Sequence, residues 1–517
     1  MSTTLLNLEE LQNLEDRYSH ILEEGVLMER AGFVVANWID DQLDGPSTIV
    51  FLCGPGNNGG DGYTAARDLL SRGHTVICVP VGQPQTELGK KAFEAYRAKG
   101  GQVLEDPYLA PKADVVVDAI FGVGQTRPIS GDAIDAVLWF NEREALHMAI
   151  DVPTGINSET GNWIGGIRGC MADMTINLIS AKAGCFMNDG KDASGMVTLS
   201  ELELAVPLST LGLIGREDFS HVLELRRYNS HKGSYGHCLV IGGDDGKVGA
   251  ALLAARAALK LGAGRVTVEL MTDAPIAYDP SCPELMFSCS PASLEGVNTV
   301  VIGCGLGFSD KAKARLEDVI ASEVSLIIDA DALAWLARDP SLQEKILARH
   351  AHTVITPHPL EAARILRTDV KTIQADRIFA ARELALQTGA ITVLKGTGTV
   401  VSLRSSRAWV NPTGSACLST AGTGDVLSGM LGAFFAQGYD MVSATLAAVW
   451  LHGESVRARN TGILASDVIS RSAKALELLR WGADPDDLVD PYDEGEFVLD
   501  DDTQGQERTA GNGLEES

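Results

Sequence analysis

The sequence predicts two α/β units, each a mostly parallel sheet covered by helices on both faces. Short apolar strands alternate with helical patterns along most of the 517 residues. These strands are almost continuously hydrophobic, as is typical of parallel strands buried on both faces. The pattern loses its period over Ala205–Ser220 and then restarts. Together these observations predict a three-layer α/β architecture that is built twice.

The first half opens with amphipathic helices between Leu5 and Ile39. A glycine-rich loop then follows an apolar strand and opens a helix, which favours a Rossmann-like three-layer domain. The predicted strands are Thr48–Cys53, Thr75–Val81, Ala113–Asp118 and His147–Asp151, and the predicted helix is Tyr63–Ser71.

The second half repeats the alternation and includes a hairpin, Ile391–Lys395 with Thr399–Leu403. We predict domains at residues 1–220 and 221–480, and an acidic tail at 481–517 that is typical of a solvated segment. The predicted strands are His237–Ile241, Arg265–Leu270, Thr299–Ile302, Leu326–Asp329 and Thr353–Thr356, with helices at Ala250–Leu261 and Pro359–Leu366.

Composition argues against several classes of function. The formal net charge of −27 argues against a nucleic-acid partner. The longest apolar region, Val426–Gly453, is interrupted by Asp440, so two buried helices are expected there and no membrane span. The nine cysteines have no CxxC spacing, and the acidic start does not resemble a signal peptide. We therefore expect a cytoplasmic protein.

The loop Gly54–Gly62, with the sequence GPGNNGGDG, is the first candidate site. Glycines let the backbone approach a ligand, and the amides at the start of a helix attract an anion such as phosphate. Asn57 and Asn58 add amide donors and acceptors. The alternative is a glycine-rich turn that binds no ligand.

Two further strand ends carry acidic side chains, Asp118 and Asp151. Ligands of open α/β sheets lie beyond the carboxyl ends of the strands, and oxygen ligands suit a hard cation. Each carboxylate could instead cap a helix or a turn.

The segment Gly422-Thr423-Gly424-Asp425 is the core of the strongest motif in the chain, Thr420–Gly429. Small residues precede an apolar helix, so successive amides can form an anion hole for a phosphoryl group. Asp425 is then placed to take the proton of an attacking hydroxyl. The alternative is that Asp425 only caps the helix.

Other polar residues follow predicted strands in this half. Lys395-Gly396-Thr397-Gly398-Thr399 is expected to contact a nucleotide, although its glycines could serve only the turn. His358 could bind substrate or be a core histidine. Glu361 could orient magnesium or water, or only complement the helix dipole.

The first half also resembles a known family. LMERAG (Leu27–Gly32), GPGNNGGDG, DAIFGVG (Asp118–Gly124) and DVPTGIN (Asp151–Asn157) occur in the order of the epimerase domain that interconverts the R and S forms of hydrated NADH and NADPH. The resemblance implies a potassium site, an acid/base at Asp151 and a helping lysine, for which Lys182 is the candidate. It implies potassium ligands Asn58, Asp118 and Thr154, and substrate contacts at Asn57, Asn58, Gly59, Gly60, Asp61, Gly122, Val123, Gly124, Gln125, Thr126, Arg127, Pro128 and Asp151.

The second half resembles the NAD(P)H-hydrate dehydratases, a branch of the ribokinase-like superfamily. HKGSYGHCLVIGG, IGCGLG, TPHPLEAARIL, LKGTGT and AGTGDVLSG carry the resemblance. It implies that Ala250, Gly305, His358 and Asp425 contact the hydrate, and that Lys395, Gly396, Thr397, Gly398, Thr399 and Gly424 contact the nucleotide. One departure is Cys417, which stands where the family has a glycine before the anion hole.

Together the two resemblances imply a bifunctional enzyme, an isomerase and a lyase, that repairs NADHX and NADPHX. The implied co-substrate is ADP, with ATP as the alternative, and the implied ions are potassium in the first domain and magnesium in the second. A homo-oligomer without membrane or nucleic-acid partners is expected. The rivals are a small-molecule kinase with an accessory ligand domain and a nucleotide-sensing interaction protein without catalysis.

Overall fold

The computed structural model of the chain describes residues 3–274, 276–288, 291–457 and 461–483. The predicted acidic tail, 481–517, lies outside these residues except at its beginning. The described chain forms two sheets, each covered by helices on both faces, which confirms the predicted fold class. Among the described residues, no helix is both long enough and apolar enough to cross a membrane.

The first sheet is entirely parallel and has seven strands in the order β3-β2-β1-β4-β5-β6-β7. The last two strands were not predicted, because the pattern around them is interrupted by polar residues. The strands are β1 (Thr48–Cys53), β2 (Thr75–Pro80), β3 (Gln102–Val103), β4 (Val115–Ala119), β5 (Leu146–Ile150), β6 (Met174–Leu178) and β7 (Met196–Ser200).

Alternate residues of β1 pack into different cores. Ile49 and Phe51 belong to the core against the first helices of the chain, whereas Val50 and Leu52 belong to the core on the opposite face. This alternation follows from the two-residue period of a strand. The helices of this unit are α1 (Leu8–Ser19), α2 (Val26–Asp40), α3 (Asn57–Ser71), α4 (Glu87–Ala98), α5 (Asp132–Asn141) and α6 (Asn188–Ser194).

The second sheet has ten strands in the order β11-β10-β9-β12-β13-β14-β15-β16-β17-β8. Only β16 runs antiparallel to its neighbours, since it returns from β15 in the predicted hairpin. The strands are β8 (Leu211–Leu213), β9 (His237–Gly242), β10 (Arg265–Leu270), β11 (Met286–Ser288), β12 (Thr299–Ile302), β13 (Ser325–Ile328), β14 (Thr353–Ile355), β15 (Ile391–Leu394), β16 (Val400–Ser402) and β17 (Ala408–Val410).

Helices cover this sheet on both faces. The apolar region Val426–Gly453 forms two buried helices, with Asp440 between them, as predicted. The helices are α7 (Val248–Lys260), α8 (Asp310–Ala321), α9 (Ala330–Arg338), α10 (Pro340–Leu347), α11 (Pro359–Leu366), α12 (Val370–Ala375), α13 (Arg377–Thr388), α14 (Thr423–Ala436), α15 (Met441–Glu454) and α16 (Ala465–Arg480).

The amino-terminal residues reach across to the second sheet. The amide of Leu5 donates to the carbonyl of Leu211 at 3.1 Å, and the amide of Leu213 donates to the carbonyl of Thr3 at 2.8 Å. Strand β8, which contains both partners, pairs with β17. The chain therefore enters the second sheet before residue 220, and the domain limits given above stay predictions.

The loops after β1 and β4 cross in backbone contact. A β-carbon at Gly54 would lie 1.8 Å from the carbonyl oxygen of Ile120, and one at Gly59 would lie 2.0 Å from the carbonyl oxygen of Gly54. Only glycine fits such an approach of backbone to backbone. The glycines of the GPGNNGGDG loop thus hold together the two loops that border the first candidate site.

We predict that Gly54→Ala lowers the free energy of unfolding by about 1–3 kcal/mol, because the added methyl group must push the two loops apart. Urea unfolding followed by circular dichroism measures the effect. Gly56→Ala is the matched control in the same loop: it has φ −91° and no neighbour within 4 Å of the added carbon, so its stability should match that of the parent. Equal stability of the two variants would contradict the role given to the crossing.

Candidate active sites

The first site lies where the strand order of the seven-stranded sheet reverses. Strands β1 and β4 are neighbours there, and the chain proceeds outward from them in opposite directions. A crevice therefore forms beyond their carboxyl ends, which is where open α/β sheets bind ligands. The loops after β1, β4 and β5 all border it, as the sequence predicted.

Asp118 and Thr154 form a buried polar pair in this crevice. The Thr154 hydroxyl donates to Oδ1 of Asp118 at 2.8 Å, and the Thr154 amide donates to Oδ2 at 2.7 Å. The amide of Ile120 donates to the same carboxylate at 3.1 Å. Burial nevertheless raises the pKa of Asp118. A cation beside this carboxylate would compensate for its loss of water.

Asp151 and Lys182 form a buried ion pair on the other side of the crevice. Nζ of Lys182 lies 2.6 Å from Oδ1 of Asp151, and the amide of Val123 donates to Oδ2 at 2.9 Å. Asp151 has φ +69°, a left-handed conformation that is uncommon for residues other than glycine. The backbone therefore turns this carboxylate toward the loop Gly122–Pro128, where it meets the lysine that the sequence named as a candidate.

Asn177 on β6 fixes both partners, and the sequence analysis missed it. Its Nδ2 donates to the carbonyl of Asp151 at 2.5 Å, and its Oδ1 accepts from the amide of Lys182 at 3.0 Å. Since β6 lies next to β5 in the sheet, its side chain reaches the segment after β5 directly. Because β6 was not predicted, there was no reason to place Asn177 beside Asp151 and Lys182.

The asparagine loop meets the same group of residues. Asn57 begins α3, and the Oδ1 of Asn58 lies 3.2 Å from the β-carbon position of Gly122. Among the described residues, the buried Nδ2 of Asn58 has no hydrogen-bond partner. Burial, with the charge of Asp151, raises the pKa of Asp61. The loop Gly122–Pro128 is fastened by Gln125, whose Oε1 accepts from the amide of Gly155 at 2.8 Å.

The second site lies at the beginning of α14, beyond the carboxyl ends of β12, β13 and β15. Gly422 precedes the helix with φ +91°, and the helix runs from Thr423. The amides in the first turn of a helix have no partner within the helix, so this end favours an anion. Asp425 stands in that first turn.

A buried ion pair lies directly beneath the head of α14. Nζ of Lys395, just after β15, lies 2.8 Å from Oδ1 of Asp329, just after β13. The hydroxyl of Ser428 donates to Oδ2 of Asp329 at 2.7 Å. A β-carbon at Gly424 would lie 3.4 Å from Nζ of Lys395, so the two predicted nucleotide motifs meet at this ammonium.

The two carboxylates of this site have different protonation tendencies. Burial, with the charge of nearby Asp329, raises the pKa of Asp425 to about 6. Burial alone would also raise the pKa of Asp329, but Lys395 and Ser428 hold it below the usual value. A carboxylate whose pKa lies close to neutrality is well matched to proton transfer at physiological pH.

Cys304 completes a compact group with these two acids. Its Sγ and the carboxylate oxygens of Asp329 and Asp425 all lie within 4.8 Å of one another. Burial, followed by the charges of Asp425 and Asp329, raises the pKa of the thiol well above its ordinary value, so it stays protonated. A protonated thiol is a poor ligand for a hard cation, and the two carboxylates are the suitable donors.

The predicted hydrate contacts lie around the same head of α14. A β-carbon at Gly305, which has φ +65°, would lie 3.5 Å from Cβ of Ala250, so these two face each other. His358 caps α11: its Nδ1 accepts from the amides of Leu360 at 3.1 Å and Glu361 at 3.3 Å. Both readings of Glu361 remain open, since it caps the helix through the amide of His358 and burial raises its pKa to about 7.

The loop Gly396–Thr399 is shaped by Arg377, a buried residue that the sequence analysis missed. Its guanidinium donates to the carbonyl of Thr397 and, at 3.1 Å, to that of Leu394. Gly396 has φ +144°, and a β-carbon there would lie 2.7 Å from the guanidinium. The glycine thus lets the arginine reach the turn. Thr397 itself is exposed.

The structure brings the predicted site residues into two groups, one on each sheet. The residues that the sequence analysis missed are polar partners from neighbouring strands or helices. His452 is another: its Nε2 donates to the carbonyl of Thr423 at 2.9 Å, and burial lowers its pKa to about 4, which keeps the ring neutral. The assignment of roles to all these residues stays a prediction.

Known proteins match both halves of the chain. The family model described as NAD(P)H-hydrate dehydratase matches residues 238–472, and the one described as the N-terminus of YjeF-related proteins matches residues 24–184. A dehydratase structure from Bacillus subtilis, described as ADP/ATP-dependent and co-crystallised with ATP and Mg²⁺, is 31% identical, with a TM-score of 0.44. The match spans 50% of this chain and 96% of the Bacillus subtilis chain.

Two curated relatives extend over most of the chain. The bifunctional NAD(P)H-hydrate repair enzyme Nnr of Coxiella burnetii is 33% identical over 86% of this chain and 94% of its own length. The enzyme of the same name from Escherichia coli is 35% identical over 81% of this chain and 83% of its own length. With this identity across both sheets, the chain belongs to the family of bifunctional NAD(P)H-hydrate repair enzymes.

Proposed function

We propose that this chain repairs hydrated nicotinamide nucleotides at its two sites. The first unit interconverts R and S NADHX and NADPHX. The second dehydrates the S form to NADH or NADPH and converts ADP to AMP and phosphate. The observation that carries the proposal is the position of Asp425, in the first turn of α14 and above the Lys395–Asp329 ion pair.

The dehydration begins with phosphoryl transfer. Asp425 takes the proton of the hydrate hydroxyl, whose oxygen attacks the terminal phosphorus of ADP while AMP leaves. The amides at the head of α14 and the ammonium of Lys395 stabilise the charge that builds on the phosphoryl oxygens. The C–O bond at ring carbon 6 of the hydrated nicotinamide, next to the ring nitrogen, then breaks as that nitrogen donates its lone pair. Loss of a proton from the adjacent carbon restores the reduced ring and leaves free phosphate.

The carboxylates near α14 fit magnesium, which the Bacillus subtilis relative held together with ATP. Magnesium is usually held by one or two carboxylates together with phosphate oxygens. Asp329 and Asp425 offer such oxygens close together. Because Lys395 already compensates for one of these charges, the residues suit an ion bound largely through the nucleotide. The ion would neutralise charge on the phosphates.

The epimerase step uses Asp151 as the acid/base, with Lys182 beside it. Epimerisation requires the C–OH bond to open and close again, so a proton must move to and from the substrate. As the acid/base, Asp151 gives a proton to the departing hydroxyl, which leaves as water, and takes a proton back from the water that adds to the other face. The ammonium of Lys182, 2.6 Å away, balances the charge of the unprotonated carboxylate. The turn at φ +69° keeps the carboxylate aimed at the loop Gly122–Pro128.

We assign a potassium ion to Asn58, Asp118 and Thr154. The supporting observation is the raised pKa of the buried Asp118 carboxyl, which accepts only from neutral donors among the described residues. The carbonyl oxygen of the Asn58 side chain is the atom that can bind the ion, whereas its Nδ2, which has no partner among the described residues, is a donor and suits a phosphate oxygen of the substrate. An ion there would compensate Asp118 and attract the phosphates of the substrate. Removal of potassium should therefore weaken substrate binding in this domain.

Cytoplasmic location and assembly into a homo-oligomer are also part of the proposal. Within the described ranges no cysteine forms a disulfide, and most are buried, which suits a reducing compartment. The exposed side chain of Phe33, on the outer side of α2, offers apolar surface to a second copy. Light scattering during size-exclusion chromatography gives the oligomeric mass.

The direct test supplies both epimers of NADHX together with ADP and Mg²⁺. We expect absorbance of reduced nicotinamide to rise until both epimers are consumed, with one AMP and one phosphate for each NADH. Chromatography of the nucleotides separates this outcome from use of ATP, which would give ADP. A stable phosphorylated product would favour the alternative function, a small-molecule kinase. No rise in absorbance with either nucleotide would overturn the proposal.

The first variant separates the two activities. Lys182→Met should slow conversion of R-NADHX by about 10²–10⁴-fold, because the acid/base loses the charge that balances it. Dehydration of purified S-NADHX should be unchanged. Asp425→Asn is the reciprocal control, expected to lose dehydration and keep epimerisation. Loss of both activities in Lys182→Met, with the fold intact, would contradict the separate roles.

The second prediction concerns the pH profile of dehydration. Since Asp425 acts ionised and has a pKa of about 6, kcat/KM should be constant above pH 7 and fall about tenfold per unit below pH 6. Asp329→Asn removes the neighbouring charge that raises this pKa, so the acid limb should move to lower pH. The exposed Asp310→Asn, which begins α8, should leave the profile in place. An unshifted limb in Asp329→Asn contradicts the assignment.

A further inference from the structure

An ammonium group of the first unit contacts the loop 412–418, which precedes α14. Lys191, on α6, donates from Nζ to three consecutive carbonyls: Pro412 at 2.8 Å, Thr413 at 3.1 Å and Gly414 at 2.9 Å. An ammonium has three donors, and here all three go to one stretch of backbone. The burial of Lys191 lowers its pKa to about 8, so the group remains charged at neutral pH.

The clamped loop leads to the proposed phosphate site. Beyond the three carbonyls, the chain turns through Ser415–Leu418, and the hydroxyl of Thr423 donates to the carbonyl of Leu418 at 2.9 Å. Thr423 opens α14, two residues before Asp425. On the opposite side the hydroxyl of Thr413 donates to the carbonyl of Trp450 on α15 at 2.9 Å. The loop is therefore held between the first unit and α15.

The same part of the first unit also touches the other nucleotide loop. The amide of Asn188 donates to the carbonyl of Thr397 at 3.4 Å, and a β-carbon at Gly398 would lie 2.3 Å from the carbonyl oxygen of Phe186. The segment that makes these contacts begins at Lys182, the partner of Asp151. One short stretch, 182–191, thus runs from the first site to both loops of the second.

We propose that Lys191 is a positioning residue for the dehydratase reaction, supplied by the epimerase unit. Resting on the function proposed above, this inference states that the ammonium sets the course of loop 412–418. The loop in turn places the head of α14 for the phosphates of the nucleotide. Lys191 touches neither the hydrate nor the reacting phosphorus. Its loss affects nucleotide binding more than the chemistry at saturating nucleotide.

The test compares Lys191→Met with the parent in the full-length protein, using purified S-NADHX and varied ADP. Methionine keeps much of the apolar stem and removes the three donors. We expect the KM for ADP to rise about tenfold, as for the loss of hydrogen bonds from a charged group, with kcat within about twofold. Epimerisation of R-NADHX should be unchanged. Lys191→Arg, which keeps charge and donors, should recover much of the affinity for ADP.

Asn162→Ala is the matched control at the same boundary between units. Its side chain donates to the carbonyls of Gln374 at 3.0 Å and Ala375 at 3.2 Å, away from the clamped loop. The KM for ADP should stay at the parent value in this variant. An equal rise in both variants would mean that any loosening of the boundary suffices, and would overturn the proposal.

The remaining outcomes separate this inference from the proposed function. An unchanged KM for ADP in Lys191→Met, with an active parent, overturns the role of Lys191 alone. An inactive parent overturns the proposed function itself. Where Lys191→Met fails to fold, Lys191→Gln removes the charge and keeps two of the three N–H donors. Hydrogen exchange of the peptide 411–420 is then measured in this variant with and without ADP. Faster exchange confined to that peptide supports the clamp, whereas parent-like exchange overturns it.

Discussion

The ion pair between Lys395 and Asp329 is the interaction on which the second site depends. A buried carboxylate, Asp329, and a partly buried one, Asp425, lie side by side there, and the two could not both stay charged without a compensating cation. The ammonium neutralises one, so the other can exchange a proton near neutral pH. The ion pair is in turn possible because β13 and β15 both end at the same edge of the sheet, one strand apart. Proton exchange by Asp425 at the head of α14 therefore depends on the order of the strands, because that order brings Lys395 to Asp329.

In the first site, too, the charge of a carboxylate is compensated by a lysine, but the two residues come from other elements. The carboxylate of Asp151, which follows β5, is balanced by Lys182 from the loop after the neighbouring strand β6, whereas the ion pair of the second site follows strands that have β14 between them. Asn177 holds the two backbones in place, and an uncommon turn of the main chain aims the carboxylate. A second carboxylate, Asp118, has only neutral donors among the described residues, which marks the position where a bound cation has most to contribute. The two halves share an architecture but compensate charge differently.

The sequence was sufficient for most of the strands and for the motifs, because apolar runs and glycine loops carry local signals. β1, β9 and β10 were predicted within a residue, and both candidate groups proved to lie at strand ends. The partners Asn177 and Arg377 were missed because nothing in their own neighbourhood marks them. Their importance arises only when the sheet places them beside residues distant in the chain. Lys182 was named through the resemblance, and its distance to Asp151 required coordinates.

The edge of the second sheet has a consequence for synthesis on the ribosome. Thr3 and Leu5 pair with β8, and β8 is itself held by β17, which ends at Val410. Thr3 and Leu5 can therefore pair with β8 as soon as residue 213 has been synthesised, whereas β8 gains its partner on the other side only when the chain has been synthesised through Val410. Until then the edge of β8 that pairs with β17 has unpaired backbone groups. Completion of the second sheet thus covers the remaining open edge of β8.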